Sequence, residues 1–311
     1  MNNEPVDILM ATYNGAPYIS QQIASILDQS HGQIRLIIRD DGSTDETVKI
    51  LENLAQHHAS KITLLPHDRR LGIKGNFSRL MEHATSKYIM FADQDDVWEK
   101  RKVAETLEIM KELEASGSSD SPLLVHTDLS VVDGNLTVLS PSFWKYTHMN
   151  ILKGQTLNRL LMQNVVTGCA TMINLPLLKL AYPIPEKAVM HDWWVALVAS
   201  ACGTMAALPE STIKYRQHGK NSLGAKKFMS LRYMKQGVGK LASNEPEKLF
   251  QASELYRRYA DQLTAQQREM LKAYLMLSQV SFLKKAVLIF KYRFFKMGLL
   301  RNLVSILFNK H

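Results

Sequence analysis

Short apolar runs and amphipathic stretches alternate through the first half of the chain. Residues 6–11 (VDILMA), 34–39 (IRLIIR), 61–65 and 88–92 (YIMFA) are brief apolar runs bounded by polar clusters, the pattern of buried strands. Between them, residues 17–27, the stretch ending near His57, residues 76–84 and residues 99–115 read as helices. Ser43-Thr44-Asp45-Glu46 predicts a capping box for the second helix, with Ser43 accepting from the Glu46 amide and Glu46 reaching back. Alternating strands and helices predict parallel pairing and a sheet covered on both faces. Further along, 116–122 (SGSSDSP) is a loop, 123–129 a strand, 190–201 a helix, and 204–208 and 212–215 two short strands. Beyond about residue 221 the pattern turns almost wholly helical.

Charge divides the chain at the same place. Residues 221–311 carry 17 Lys/Arg against 5 Asp/Glu, and the first 220 carry 21 against 24. The expected organisation is an α/β catalytic domain over 1–220 and a basic, mainly helical region over 221–311. The two cysteines, Cys169 and Cys202, fit no metal or redox spacing, which predicts a reducing compartment without disulfides. The N-terminus shows no secretory leader pattern, and no run of about 18 apolar residues predicts a spanning helix.

In open α/β sheets, ligands gather beyond the carboxyl ends of the strands. Three polar clusters fall there: 12–15 (TYNG), 40–43 (DDGS) and 93–96 (DQDD). Neither a G-x-G-x-x-G fingerprint nor a P-loop is present. Asp96 or Ser43 alone reads as a helix N-cap. Asp93, Asp95 and Asp96 together do not, because crowded carboxylates oppose one another's ionisation. A hard divalent cation, Mg²⁺ or Mn²⁺, removes that repulsion and leaves positions for phosphate oxygens. Downstream, His191-Asp192-Trp193-Trp194 puts a carboxylate beside two indoles suited to carbohydrate rings; an N-cap Asp with two core tryptophans is the alternative. The loop 215–221 (YRQHGKN) offers an imidazole, His218, and several cations.

Taken in order between residues 8 and 222, ILMATYNG, IIRDDGSTDET, LGIKGNF, YIMFADQDDVW, MHDWW and YRQHGKNS resemble family 2 glycosyltransferases. HDWW and YRQHG further resemble a bacterial rhamnosyltransferase-like branch that builds surface polysaccharides of the O-antigen or capsule type. The resemblance implies a GT-A nucleotide-diphospho-sugar transferase fold with a mostly parallel central sheet and a C-terminal helical extension. It implies that Ala11, Tyr13, Asp41, Asn76 and Asp93 bind the donor nucleotide, linked to dTDP or UDP. Asp93, Asp95 and His218 would hold Mg²⁺ or Mn²⁺, Asp192 would be the catalytic base of an inverting transfer, and Trp193 and Trp194 would bind the acceptor. The sequence departs from the family at Arg70, where Asn is common before the LG pair; Arg70 is placed to reach a phosphate instead.

No acidic residue follows Glu269. Leu283, Val287, Phe290, Phe294, Met297, Leu300, Val304 and Leu307 recur three or four apart among Lys284, Lys285, Lys291, Arg293, Lys296, Arg301 and Lys310. That is the pattern of an in-plane helix on an anionic membrane surface; a helix packed on its own domain is the alternative. No nucleic-acid recognition motif accompanies it. The expected function is transfer of a sugar, L-rhamnose among the candidates, to a lipid-linked or growing polysaccharide. The expected site of action is cytoplasmic, on the inner face of the bacterial plasma membrane. A sugar-1-phosphate nucleotidyltransferase and a non-catalytic nucleotide-sugar-binding protein at the membrane are the competing classes.

Overall fold

The structure, a computed structural model, describes residues 4–117, 120–218 and 245–297. Its strands are β1 (Val6–Thr12), β2 (Ile34–Asp40), β3 (Ile62–Leu65), β4 (Tyr88–Ala92), β5 (Val97–Trp98), β6 (Leu123–Val132), β7 (Val138–Ser140), β8 (Thr171–Asn174) and β9 (Thr204–Arg216). They form one sheet in the order β3-β2-β1-β4-β8-β6-β9-β5, with β7 paired to β6. Pairing is parallel across β3-β2-β1-β4, as the strand–helix alternation predicts. The other half is mixed: β8 runs antiparallel to both β4 and β6, and β6 and β9 are parallel.

The helices are α1 (Ile19–Leu27), α2 (Thr47–His57), α3 (Gly72–Met81), α4 (Lys102–Ser116), the short α5 (Phe143–Tyr146), α6 (Ile151–Gly154) and α7 (Leu157–Met162), then α8 (Leu175–Ala181), α9 (His191–Cys202), α10 (Glu245–Tyr259), α11 (Ala265–Leu275) and α12 (Phe282–Tyr292). Both faces of the sheet are buried, and strand alternation sorts the side chains. Ile8, Met10, Leu36, Ile38, Met90 and Ala92 pack with Ile19, Ile23 and Leu51 of α1 and α2 and with Val103 and Leu107 of α4. Leu9, Ile37, Ile89 and Phe91 point the other way, into a core with α3, α7, α8, α9 and the C-terminal helices.

Three local expectations change. The segments 204–208 and 212–215 belong to one strand, β9. Its pairing with β6 jumps from Thr127↔Leu208 to Asp128↔Ser211, so Pro209 and Glu210 form a bulge where proline has no N–H for the ladder. The capping box does not form. Ser43 Oγ donates to Asp40 and accepts from the Asn14 amide, and Asp45 instead accepts from the amide of Thr47, the first residue of α2. The third change is in the basic tail, which is not one continuous amphipathic helix. Arg293 takes a left-handed conformation (φ 56°) that ends α12, and the Phe294 amide donates to the Ile289 carbonyl in a Schellman closure. Ile289, Phe294, Lys296 and Met297 are buried rather than presented to a surface. Leu300, Arg301, Val304, Leu307 and Lys310 lie outside the described residues. Among the described residues, no helix is long and apolar enough to cross a membrane.

Candidate active site

Because β1, β2 and β4 are neighbours and parallel, their three polar C-terminal clusters meet at one edge of the sheet. The Asp41 amide donates to the Thr12 carbonyl, and the Gln94 side chain bonds both the amide and the carbonyl of Tyr13. A Cβ on Gly15 would stand 2.4 Å from Gln94 Oε1, so the glycine of TYNG is required by this close approach. The antiparallel β8 adds a fourth contributor. Its start lies beside the end of β4, which brings Gly168 and the loop before it to the same edge. A cavity of about 590 Å³ opens there, lined among others by Ala11, Tyr13, Asp41, Asn76, Asp93, Asp95 and Asp192.

At one end, Asp41 is buried. Its Oδ1 accepts from the Leu71 amide and Arg39, and its Oδ2 accepts from the Gly72 amide. Gly72 sits at φ 69°, where a side chain would be strained. Arg39, fully buried, also reaches the Asn76 and Asp68 side chains and the Arg69 carbonyl. Asn76 returns a hydrogen bond to the Arg39 carbonyl, so both ends of its amide serve Arg39. The Arg70 guanidinium lies 4.1 Å from the centroid of the Tyr13 ring, at the rim of the cavity.

In the middle stand the carboxylates after β4. Burial, then the charges of Asp95 and Asp192, push the Asp93 carboxyl up to about 7. His218 Nε2 lies 2.7 Å from Asp95 Oδ2, and the imidazole stacks on Tyr18 at 4.6 Å between ring centroids. Arg216, at the end of β9, ties this segment down: its amide bonds Asp96 and its guanidinium the Asp95 carbonyl, the Gly134 carbonyl and Gln21. Asp96 is buried with one oxygen lacking a hydrogen-bond partner, and burial with the charges of Asp95 and Asp93 pushes its carboxyl well up.

Two donor sets are therefore on offer. Asp93, Asp96 and Cys169 place ligand atoms within 4.8 Å of one another. Burial pushes the Cys169 thiol well up, however, and a protonated thiol is a poor ligand for a hard cation. Asp93, Asp95 and His218 offer carboxylate oxygens and an imidazole nitrogen, donors that suit Mg²⁺ or Mn²⁺. A cation there would relieve the repulsion that raises Asp93.

At the far end, Asp192 lies in the first turn of α9 but does not cap it; Met190 occupies the N-cap. Its carboxylate accepts from the amides of Gly168 (3.2 Å) and Trp193 (2.6 Å), and burial pushes it up to about 6. Its neighbour His191 stacks on Phe77 at 3.8 Å, with both ring nitrogens unpaired. Burial pushes that imidazole down to about 3, so it is neutral.

The expected acceptor role of Trp193 and Trp194 needs correction. Both indoles are buried in the core, their N–H groups donating to the Leu160 and Ala181 carbonyls. Neither presents a face to a ligand. Arg39, Gln94, His191 and the loop through Asn164 and Gly168 are the contributors that periodicity did not single out. The one available signal was Arg39, a charge in an otherwise apolar strand.

The glycosyl transferase family 2 model matches residues 7–173. The chain is 29% identical over 241 residues to the dTDP-rhamnosyl transferase RfbG of Shigella flexneri, covering 74% of this chain and 78% of that protein. It is 25% identical over 261 residues to WfgD of Escherichia coli, a UDP-Glc:alpha-D-GlcNAc-diphosphoundecaprenol beta-1,3-glucosyltransferase, covering 80% and 91%. Among solved structures it resembles the mannosyltransferase PcManGT of Pyrobaculum calidifontis in complex with GDP-Man and Mn²⁺, at TM-score 0.53 and 16% identity over the whole chain and 89% of that protein. The solved structure speaks for the GT-A fold. With a family model covering more than half its length, the chain belongs to glycosyl transferase family 2.

Proposed function

We propose that this protein is an inverting, metal-dependent glycosyltransferase of bacterial surface-polysaccharide synthesis. The observation that carries the reading is the single cavity that joins Asp41 and Tyr13 at one end to Asp192 at the other, with Asp93 and Asp95 between. In this reading the nucleoside of the donor lies against Ala11 and Tyr13. Asp41, whose Oδ2 accepts one amide bond, takes the ring N–H that uracil and thymine share. A divalent cation on Asp93, Asp95 and His218 supplies charge neutralisation for the leaving diphosphate.

Asp192 holds the other role. A carboxyl raised to about 6 is mostly ionised at neutral pH, yet a stronger base than an exposed aspartate. It takes the proton of an acceptor hydroxyl as that oxygen bonds to the anomeric carbon. The bond from that carbon to the diphosphate oxygen breaks on the opposite face, and the electron pair leaves with the nucleoside diphosphate. One displacement inverts the configuration. The Gly168 and Trp193 amides hold the carboxylate for this task.

The relatives direct the finer assignments. Likeness to RfbG favours dTDP-L-rhamnose as donor, and likeness to WfgD favours UDP-glucose and a lipid-diphosphate acceptor. A lipid-linked acceptor places the enzyme on the cytoplasmic face of the plasma membrane. The basic helical region beyond residue 220 is proposed as the part that meets it. The test is hydrolysis and transfer assays on a panel of dTDP- and UDP-sugars with and without Mn²⁺. The expected result is metal-dependent turnover of one donor, with the product anomer inverted by proton NMR. Retained configuration, or turnover indifferent to EDTA, would overturn the reading.

A further inference from the structure

We propose that the outward ridge of α12, built from Leu283, Val287 and Phe290 with Phe282 at its start, is the surface on which this enzyme lies in an anionic membrane, next to the acceptor end of its cavity. The inference rests on the glycosyltransferase reading for its purpose and on the structure for its geometry.

The periodicity of the tail treats every apolar residue as one stripe, but packing separates them into two sets. Ile289, Phe294 and Met297 face the core, and Leu283, Val287 and Phe290 face out, between 63% and 77% exposed. The outward residues stand at i, i+4 and i+7, which is one ridge of a helix. Lys284 and Lys291 follow Leu283 and Phe290 by one position each, so they line one flank of the ridge, with exposed Arg293 beyond. With no acidic residue after Glu269, nothing on this element neutralises them. An apolar ridge flanked by cations is complementary to a bilayer surface of acyl chains and anionic headgroups. A protein partner for such a ridge would have to supply an apolar groove with an acidic rim, which the charge pattern does not require.

The ridge is also held rigidly. The Asn158 side chain donates to the Tyr292 and Arg293 carbonyls, Arg159 donates to the Phe295 carbonyl, and the Met297 amide donates to Gln163. These contacts fix α12 to the α7 segment, which leads directly to the cavity. A Cβ on Gly154 would meet Val165 at 2.6 Å and Met297 at 3.2 Å, so Met297 and Val165 close on the same glycine from two sides. Val165 lines the cavity, as does Asn164 beside it. The segment that anchors α12 thus stands one side chain behind the cavity wall near Asp192, where a lipid-linked sugar would have to arrive.

The test uses the full chain and sedimentation with vesicles of neutral phosphatidylcholine alone or with 30% phosphatidylglycerol. Wild type should bind the anionic vesicles and release from them at high salt. Leu283→Gln/Val287→Gln/Phe290→Gln should lower binding at least tenfold. Lys284→Gln/Lys291→Gln should lower it roughly fivefold per lysine and remove part of the salt dependence. Because all five side chains are exposed or flank the ridge, both variants should keep the wild-type melting temperature and the wild-type Kd for UDP with Mn²⁺. Vesicle binding unchanged in both variants would overturn the proposal. So would a fall in melting temperature or a change in oligomeric state in the apolar variant, which would mean that the chain itself or a second copy covers the ridge. Transfer to a short-chain, water-soluble acceptor should be unaffected. If wild type transfers no sugar to any acceptor yet binds vesicles through the ridge, the functional reading fails while the surface assignment stands.

Discussion

Replacing Asp192 by asparagine separates two properties of one buried carboxylate. In the folded protein burial pushes its pKa from 3.8 to about 6. The folded state therefore holds this proton more tightly than the unfolded chain. The stability it contributes is complete below 3.8 and is lost as pH rises through about 6. Two units at about 1.4 kcal/mol each put the deficit at pH 8 on the order of 3 kcal/mol, of which about 1.5 kcal/mol accrues between pH 5 and pH 8. Asparagine carries no such titration. It introduces a constant offset, because its NH₂ faces the Gly168 amide that the carboxylate accepted from. The offset cancels when stability is compared across pH. Urea unfolding in EDTA at pH 5, 6.5 and 8 should therefore show Asp192→Asn gaining about 1.5 kcal/mol on wild type over that range. Relief of Asp93, which the Asp192 charge also raises, adds to the same sign. Turnover should fall by roughly 10²–10⁴ while donor binding persists. Stability curves that run parallel for the two proteins, or turnover near wild type, would refute both the buried-base assignment and the chemistry built on it.

Two further substitutions probe the walls of the cavity. His191→Phe keeps the ring stacked on Phe77 and removes two buried nitrogens without partners, so the melting temperature should rise by a few degrees, corresponding to roughly 1 kcal/mol; a fall would mean the imidazole is paired in solution. Gly15→Ala drives a Cβ into Gln94, whose amide brackets Tyr13, and should weaken UDP binding at least tenfold in calorimetry at little cost in stability; unchanged affinity would remove Gln94 from the account.

Much of this architecture is legible in the chain, for reasons that also mark where legibility ends. β4 spans 88–92 as the pattern predicts, since five apolar residues between polar clusters have no other place than a doubly covered sheet. The same logic puts the carboxylates after it at the sheet edge. β8 is four residues (TMIN) without alternation, and its antiparallel insertion between β4 and β6 depends on the sheet around it. The Gly168 loop that positions Asp192 was hidden with it. Trp193 and Trp194 read equally as sugar platforms or core residues, and only the fold, which supplies the Leu160 and Ala181 carbonyls to their N–H groups, decides between them. In the tail, period alone cannot tell which apolar residues a Schellman closure turns inward.

The central claim is that the carboxylates beyond β4 hold a cation that in turn holds the donor diphosphate. Isothermal titration of UDP and of dTDP into wild type and Asp95→Ala, each with Mn²⁺ and with EDTA, tests it most directly. Wild type should bind one nucleotide tightly only with Mn²⁺. Asp95→Ala, deprived of the carboxylate that meets His218, should lose most of that metal-dependent increment and keep its fold. Equal Mn²⁺-dependent affinity in the two proteins would contradict the account.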